Sequence, residues 1–177
     1  MKKIYVTFIV MLCISMVISC QNKNNKNNSC SKSKIEDGLY LLTGESNDTS
    51  VFGHLDTNHR IIRFNKKFAD SVDQKVYLLI DRSDFVPLLL ASEPDSVQMP
   101  DKKTKLLLNL TNPAGEKLKT FTAKHLNQKV VLVMNGEALT KHKVRSVISD
   151  GKIQITRCTD NACEYLYYEI KEKMKKK

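Results

Sequence analysis

Few side chains in this 177-residue sequence are spaced as catalytic or metal-binding groups usually are. His54 and His59 flank Asp56, but their spacing matches no recurring zinc pattern and no cysteine lies near them in sequence. His125 falls on a helical pattern of apolar residues and is interpreted as a histidine at the edge of that helix, not a ligand. The sequence contains no glycine-rich phosphate loop, no G-x-S-x-G motif and no carboxylate pair that periodicity would bring together. We therefore expect no enzymatic activity, no cofactor and no metal site.

The chain contains five cysteines, and an odd number suggests that one has a separate role. A short basic start, Met1 to Lys3, precedes an apolar stretch over residues 4–18, which is the pattern of a secretory signal. The stretch ends in Val17-Ile18-Ser19-Cys20, and the residues that follow are polar. This ending resembles the lipobox of bacterial lipoproteins. The resemblance implies cleavage before Cys20 and attachment of acyl chains, such as palmitate, to its thiol and its new amine. The alternative is an ordinary signal peptide cut elsewhere, or an uncleaved anchor.

The formal charge of +10 lies at the two ends of the chain. Removing residues 1–19 takes away two lysines and no acidic residue, which leaves +8. Residues 21–34 hold four lysines, and residues 171–177 hold five lysines against Glu172, so these two segments account for the whole excess. The part between them is close to neutral. This distribution argues against a nucleic-acid partner and suits an anionic membrane surface.

The composition divides the chain into four parts. Residues 1–19 are interpreted as a lipoprotein signal peptide. Residues 20–35 are almost devoid of apolar side chains and are expected to be a flexible polar tether. Residues 36–103 form the N-terminal part of the folded domain, and residues 104–174 form a second subdomain. About 140 residues must therefore fold, which by length is one domain.

The first half of the folded part predicts short strands separated by polar segments. Strands are expected at residues 39–42, 60–64 and 75–80, with a polar loop at 45–50. The apolar stretch around Pro87 is not expected to form a central strand, because proline cannot donate a hydrogen bond to a neighbouring strand. Residues 93–103 are charged, contain proline and are expected to be a connection.

The second half begins with a strand at residues 105–110 and a helix. Asn112 is predicted as the N-cap and Pro113 as the first helical residue. An apolar run at Val130–Met134 predicts a central strand, and Asn135-Gly136 predicts a hairpin that returns over residues 137–140. The helix is expected to bury one stripe of side chains, namely Leu118, Phe121, Thr122, His125 and Leu126.

The end of the chain predicts two further short strands and a closing helix. Residues 144–148 have apolar side chains on alternate positions, but the pattern does not decide which side of the segment would be buried. A turn at Asp150-Gly151 leads to a strand over residues 152–157, and residues 159–161 are expected to cap the last helix. Counted without residues 144–148, the half has the order β-α-β-β-β-α. The predicted class is α+β, a mostly antiparallel sheet with two helices packed on one face.

A set of landmark residues gives the second half a recognisable pattern. The pattern consists of Gly115, Phe121 and Thr122, of Val130–Met134 with Asn135-Gly136, of Ile148, Gly151, Ile153 and Ile155, and of the lead-in Pro87-Leu88-Leu89. This pattern resembles the head subdomain of the first periplasmic domain of SecD and SecDF, accessory subunits of the bacterial secretion machinery. The sequence departs from that family at Lys141-His142, where a proline is usual, and at Arg157-Cys158, which replaces a small residue. Nothing in it resembles the transmembrane helices of SecD.

Cys158 and Cys163 bracket the start of the last helix. In an oxidising compartment a disulfide between them would fasten that helix to the preceding strand, with a contribution of ~2 kcal/mol. The alternative is two free buried thiols. Cys30 is then left over on the tether.

The sequence favours a lipid-anchored cell-envelope protein with a non-enzymatic polypeptide-binding or export-accessory module. Polypeptide would be contacted through exposed strand edges or through the hairpin at Asn135 and Gly136. Gln21, which is not an aspartate, favours the outer membrane by resemblance to enterobacterial lipoproteins. The alternative function is a structural or self-assembling envelope lipoprotein.

Overall fold

The computed structural model describes residues 34–65, 76–99, 104–155 and 162–176. The predicted signal peptide, Cys20, Cys30, Cys158 and the predicted cap at 159–161 lie outside the described residues. Lys34–Lys177 forms one compact unit. Within the described residues, neither helix is both long enough and apolar enough to cross a membrane.

The described residues form eight strands and two α-helices, with one short 3₁₀ helix at Thr49–Phe52. The α+β class and the order of strands and helices in the second half are confirmed. The elements in chain order are β1 (Gly38–Ser46), β2 (His59–Phe64), β3 (Tyr77–Pro87), β4 (Asp95–Gln98), β5 (Thr104–Asn109), α1 (Asn112–Lys124), β6 (Lys129–Met134), β7 (Glu137–Lys143), β8 (Lys152–Ile155) and α2 (Ala162–Lys175).

The strands divide into two sheets. Five of them close into a barrel in the order β1-β3-β2-β7-β6, and the other three form a sheet in the order β4-β5-β8. Among the described strands only β2 and β7 pair in parallel, through Arg63 with Glu137 and Phe64 with Ala138. The β6–β7 hairpin therefore pairs with β1 and β2 of the first half, whereas β5 and β8 lie in the other sheet.

Strand β3 continues beyond residue 80, at which the predicted strand ended, and reaches Pro87. Tyr40 of β1 lies opposite Phe85, but the next residue, Leu41, lies opposite Asp81. Residues 82–84 therefore form a bulge, after which the strand resumes and reaches Pro87. Pro87 is tolerated because it is the last residue of β3 and its position there pairs with β1 alone.

Helix α1 follows the predicted pattern closely, although Thr111 is its N-cap and Asn112 is already helical. Leu118, Phe121, Thr122 and His125 are buried as predicted. Leu126 is 43% exposed, contrary to the prediction. The physical reason is that the helix ends at Lys124 and the chain turns away, with Asn127 in the left-handed conformation at φ 64°.

The hairpin between β6 and β7 forms as predicted. Asn135 and Gly136 have φ values of 54° and 80°, which a two-residue type I′ turn requires. Strand β6 pairs with β1 on one side and with β7 on the other, so it is central, and Val130 to Met134 are all buried.

Two predictions about strands in the connections are wrong. Residues 144–148 form no strand, because Val144 exchanges backbone hydrogen bonds with the loop that follows α1 and Ile148 donates its N–H to Thr122 Oγ1 at 3.0 Å. Conversely, the expected connection at 93–103 contains β4, whose four residues pair in antiparallel register with β5.

One hydrophobic core extends through both sheets and both helices. It joins Leu78 and Ile80 of the barrel to Leu106 and Leu108 of the three-stranded sheet, and each of these side chains is fully buried. On α2, Leu166 and Ile170 lie one turn apart on the same face of the helix and are both buried in this core.

Candidate functional site

An apolar groove of about 570 Å³ opens at the point where the chain enters the fold. Its size falls within the range of about 300–1,000 Å³ that is typical of ligand pockets. Its walls come from the segment before β1, the end of β3, the last residue of β6 and the second half of α2. The lining residues are Lys34, Ile35, Glu36, Asp37, Pro87, Leu88, Leu89, Leu90, Met134, Ile170, Lys173 and Met174.

Asp37 joins three of these walls. Its backbone carbonyl accepts a hydrogen bond from Leu88 N at 2.9 Å, and its Oδ1 accepts one from Asn135 N at 2.8 Å. Its other oxygen pairs with the ammonium of Lys173 on α2. The groove is therefore held by hydrogen bonds and an ion pair between parts of the chain that are far apart in sequence.

The segment after β3 presents leucine side chains on a backbone that is already hydrogen-bonded. Leu90 forms an isolated antiparallel bridge with Leu110, and Leu89 O accepts from Thr111 N at 2.8 Å. These bonds fix the direction of the segment. Leu89 is 41% exposed at the groove, so an apolar side chain is available there to a ligand.

Two methionines and one isoleucine complete the apolar lining. Met134 and Ile170 are buried, whereas Met174 is half-buried. Methionine has an unbranched, polarisable side chain that adapts to irregular partners and is common at surfaces that accept many ligands. The groove therefore suits apolar side chains of varied shape.

The four charged side chains that line the groove cancel one another formally. Lys34 and Lys173 are balanced by Glu36 and Asp37. Two residues before Lys173 on α2, Lys171 pairs with Glu93 at 3.0 Å. A balanced rim does not select for a charged ligand, and none of the lining residues carries a thiol, hydroxyl or imidazole group. The lining is mostly apolar and its charges are balanced, which suits the binding of a largely uncharged ligand.

The predicted contact residues Asn135 and Gly136 lie beside this groove. Asn135 is exposed, but its amide group donates to Glu169 Oε2 at 3.2 Å and its backbone N–H to Asp37. The hairpin tip is thus fastened to α2 and to the segment before β1. Its neighbour Met134 is the residue that lines the groove.

Most residues of the groove were not predicted from the sequence. Ile35 was assigned to the tether, and Met174 lies within the lysine-rich segment 171–177. The signal in the sequence that could have indicated the groove is the apolar run Leu88–Leu90, which has no strand pattern. In the structure these three side chains are half-buried or exposed. Such a run often marks a binding surface.

The predicted cysteine sites fall only partly within the described residues. Cys20 and Cys158 lie outside them. Cys163 is buried at the start of α2, with Sγ 4.0 Å from Ile155 O at the end of β8. The disulfide between Cys158 and Cys163 stays a prediction.

The two histidines that flank Asp56 differ in their contacts. His59 Nδ1 lies 2.7 Å from Asp56 Oδ1, and this hydrogen bond lowers the pKa of Asp56. Among the described residues, no hydrogen bond or ion pair involves the imidazole of His54. In the described part of the chain, no group of three or more histidine, cysteine and acidic side chains is placed to hold a metal ion.

His125 is buried in a polar cluster at the end of α1. Its Nε2 lies 3.0 Å from Asp84 Oδ2, and its Nδ1 lies 3.0 Å from Gln128 Oε1. Lys124 Nζ lies 2.6 Å from the same oxygen of Asp84. Burial by itself would raise the pKa of Asp84, but the hydrogen bonds and charges of Lys124 and His125 outweigh it and lower that pKa. The cluster fastens α1 to the bulge in β3.

Three solved structures of SecDF are similar to this chain. One is of SecDF in a super-membrane-facing form, with 16% identity, a TM-score of 0.44 and coverage of 75% of this chain and 17% of that one. A structure of SecDF described as a membrane component that enhances protein export has 14% identity, a TM-score of 0.39 and coverage of 77% and 60%. SecDF from Thermus thermophilus, described as a translocon-associated membrane protein, has 11% identity, a TM-score of 0.39 and coverage of 94% and 33%.

This chain thus spans between 17% and 60% of the length of those structures. No protein-family model and no curated protein matches it. At this sequence identity and TM-score, the similarity to SecDF supports no conclusion about the ligand of this chain.

Proposed function

We propose that this chain is a lipid-anchored cell-envelope protein whose folded part binds apolar stretches of polypeptide without catalysing a reaction. The observation that carries the proposal is the groove, which offers leucine, isoleucine and methionine side chains to a ligand. A small number of polar groups surrounds an apolar lining, as in most ligand sites.

An extended polypeptide fits the chemistry of this groove. Its apolar side chains would enter between Leu89, Met134 and Met174, while its backbone stays in water. The cancelling charges at the rim neither attract nor repel a neutral segment. The sequence pattern shared with the head of SecD favours a polypeptide in export as the ligand.

The anchor would place the groove near a membrane surface. The polar segment that follows Cys20 leads directly to Lys34 and Ile35 at the groove. If the predicted tether behaved as a random coil, its r.m.s. span would be ~20 Å. A polypeptide that emerges at the membrane would therefore lie within reach of the binding site.

The proposal is tested by placing a charge in the groove. Leu89→Glu leaves the core intact because Leu89 is 41% exposed. A fluorescent peptide that alternates leucine and serine is titrated with the full chain in lipid nanodiscs, and its anisotropy is recorded. Partial loss of one buried leucine contact should weaken binding about tenfold.

Val51→Glu is the matched control, because Val51 is 70% exposed in the 3₁₀ helix and does not line the groove. It should bind the peptide as the unaltered chain does. Equal affinity of all three proteins for the peptide, or no binding by any, would contradict the proposal. In the second case, a stable oligomer in sedimentation would favour the structural alternative.

A further inference from the structure

The two lysine-rich segments of the chain both reach the groove. Lys34 is the last residue of the segment 21–34, and Lys173 belongs to the segment 171–177, yet both side chains line the same groove. The first segment holds four lysines and no acidic residue, and the second holds five lysines against one glutamate. The fold therefore joins the two sources of excess positive charge to one side of the folded unit.

Part of this charge is not used in ion pairs. Three lysines of α2 have acidic partners, namely Lys171, Lys173 and Lys175. Lys34 and Lys176 are exposed, and among the described residues no ion pair involves either of them. Their ammonium groups are therefore available to anions at a surface that this side of the molecule meets.

Apolar side chains are exposed beside these lysines. Leu89 is 41% exposed at the groove, and the half-buried Met174 lies between Lys173 and Lys175 in the sequence of α2. A surface that combines apolar side chains with lysines suits the boundary between the headgroups and the acyl chains of a bilayer. The lysines attract the phosphates of anionic lipids, and the apolar side chains leave water.

The proposed anchor makes a bilayer the surface that this side meets. The chain that leads back to Cys20 joins the fold at Lys34, on the rim of the groove. Acyl chains and basic groups that contact the same membrane reinforce each other. We propose that the docking face, formed by Lys34, Leu89, Lys173, Met174 and Lys176, lies against a bilayer that contains anionic phospholipids. This inference rests on the anchor of the proposed function and not on polypeptide binding.

Docking on this face fixes which end of the barrel points away from the membrane. Strand β1 starts beside the groove and is nine residues long, so it extends about 25–30 Å. The 3₁₀ helix at Thr49–Phe52 follows its far end. Val51, which is 70% exposed in that helix, should therefore stay in water when the docking face contacts lipid.

The absence of tryptophan from the sequence permits a direct test. Leu89→Trp and Val51→Trp each give the full chain a single tryptophan. Each protein is placed in nanodiscs of phosphatidylcholine brominated on its acyl chains, with or without an equal amount of phosphatidylglycerol, and tryptophan emission is recorded. We expect Leu89→Trp to be quenched and shifted to the blue in the anionic discs, and Val51→Trp to be unquenched in both.

Salt and a charge variant test the electrostatic part. At 1 M salt the Debye length falls to about 3 Å, so quenching of Leu89→Trp in the anionic discs should fall to the level in neutral discs. Adding Lys34→Gln to Leu89→Trp should lower the ratio of docked to undocked protein about fivefold. Lys143→Gln is the matched control, because Lys143 is an exposed lysine at the far end of β7 and does not line the groove.

Equal quenching of Leu89→Trp in neutral and anionic discs, or equal quenching of Leu89→Trp and Val51→Trp, would overturn the proposal. Met174→Trp is a second reporter on the docking face and should behave as Leu89→Trp does, which guards against a local effect at residue 89. A chain that does not co-elute with the discs would contradict both the anchor and the docking. Polypeptide binding fails or succeeds separately, because quenching is read without peptide and peptide anisotropy can be read in neutral discs.

Discussion

Gly38 shows how one residue permits the barrel to close. It lies opposite Pro87 on one neighbouring strand and opposite Val133 on the other. A Cβ at this position would lie 2.5 Å from the carbonyl oxygen of Val86, which is closer than real Cβ atoms approach. The obstructing atom belongs to the backbone, so it cannot rotate away.

We expect Gly38→Ala to lower the free energy of unfolding by ~1–3 kcal/mol, because the strands must move apart. Urea unfolding followed by circular dichroism measures the loss. Gly44→Ala on the same strand is the control, since its Cβ would meet chiefly the ring of Phe52, a half-buried side chain that can shift. A loss for Gly38→Ala no larger than that for Gly44→Ala would show that the barrel has room at Gly38.

Among the elements, the contact between α1 and β3 depends on a carboxylate. Asp84 lies within hydrogen-bond distance of both Lys124 and His125, and these groups hold its pKa below the usual range despite partial burial. A group with a lowered pKa in the folded state stabilises the fold above its unfolded pKa, about 3.9 for aspartate. That stabilisation is lost as the pH falls through the folded pKa.

Asp84→Asn should therefore reduce stability at pH 7 by ~1 kcal/mol or less, since Asp84 is partly exposed and screened. Below about pH 4 the difference between the variant and the unaltered chain should shrink. Urea midpoints between pH 2.5 and pH 7 measure both effects. Glu116→Gln, an exposed carboxylate on α1, removes the same charge without this contact. If Glu116→Gln gave the same pH profile, net charge and not the Asp84 cluster would be responsible.

Elements with a strong apolar pattern were predictable, and elements without one were not. Strand β6 and the Asn135-Gly136 turn follow from β-branched residues and from tolerance of positive φ. Strand β4 was missed because Asp-Ser-Val-Gln carries no alternating pattern, and it forms because β5 offers it a partner. Residues 144–148 show the reverse, since their pattern suggested a strand but their backbone groups bond to the loop after α1 and to Thr122.

At the scale of the whole molecule, the proposed anchor depends on one cysteine. In cells supplied with an alkyne analogue of palmitate, the unaltered chain should incorporate the label and Cys20→Ser should not. Cys30→Ser is the matched control, because Cys30 lies on the same polar segment and should leave labelling unchanged. Membrane fractionation of the same cells tests the predicted outer-membrane location. Equal labelling of Cys20→Ser and the unaltered chain would contradict the anchor.

The sequence by itself determined the α+β class, the helices and the central hairpin, because these depend on local periodicity and turn chemistry. It also determined that the excess charge lies at the two ends of the chain. Only the tertiary structure decided that the hairpin joins strands of the first half in a closed barrel and that Ile35, Leu89, Met134 and Met174 meet in one groove. Those residues are distant in sequence, and no local pattern encodes which distant strands pair or which side chains they bring together.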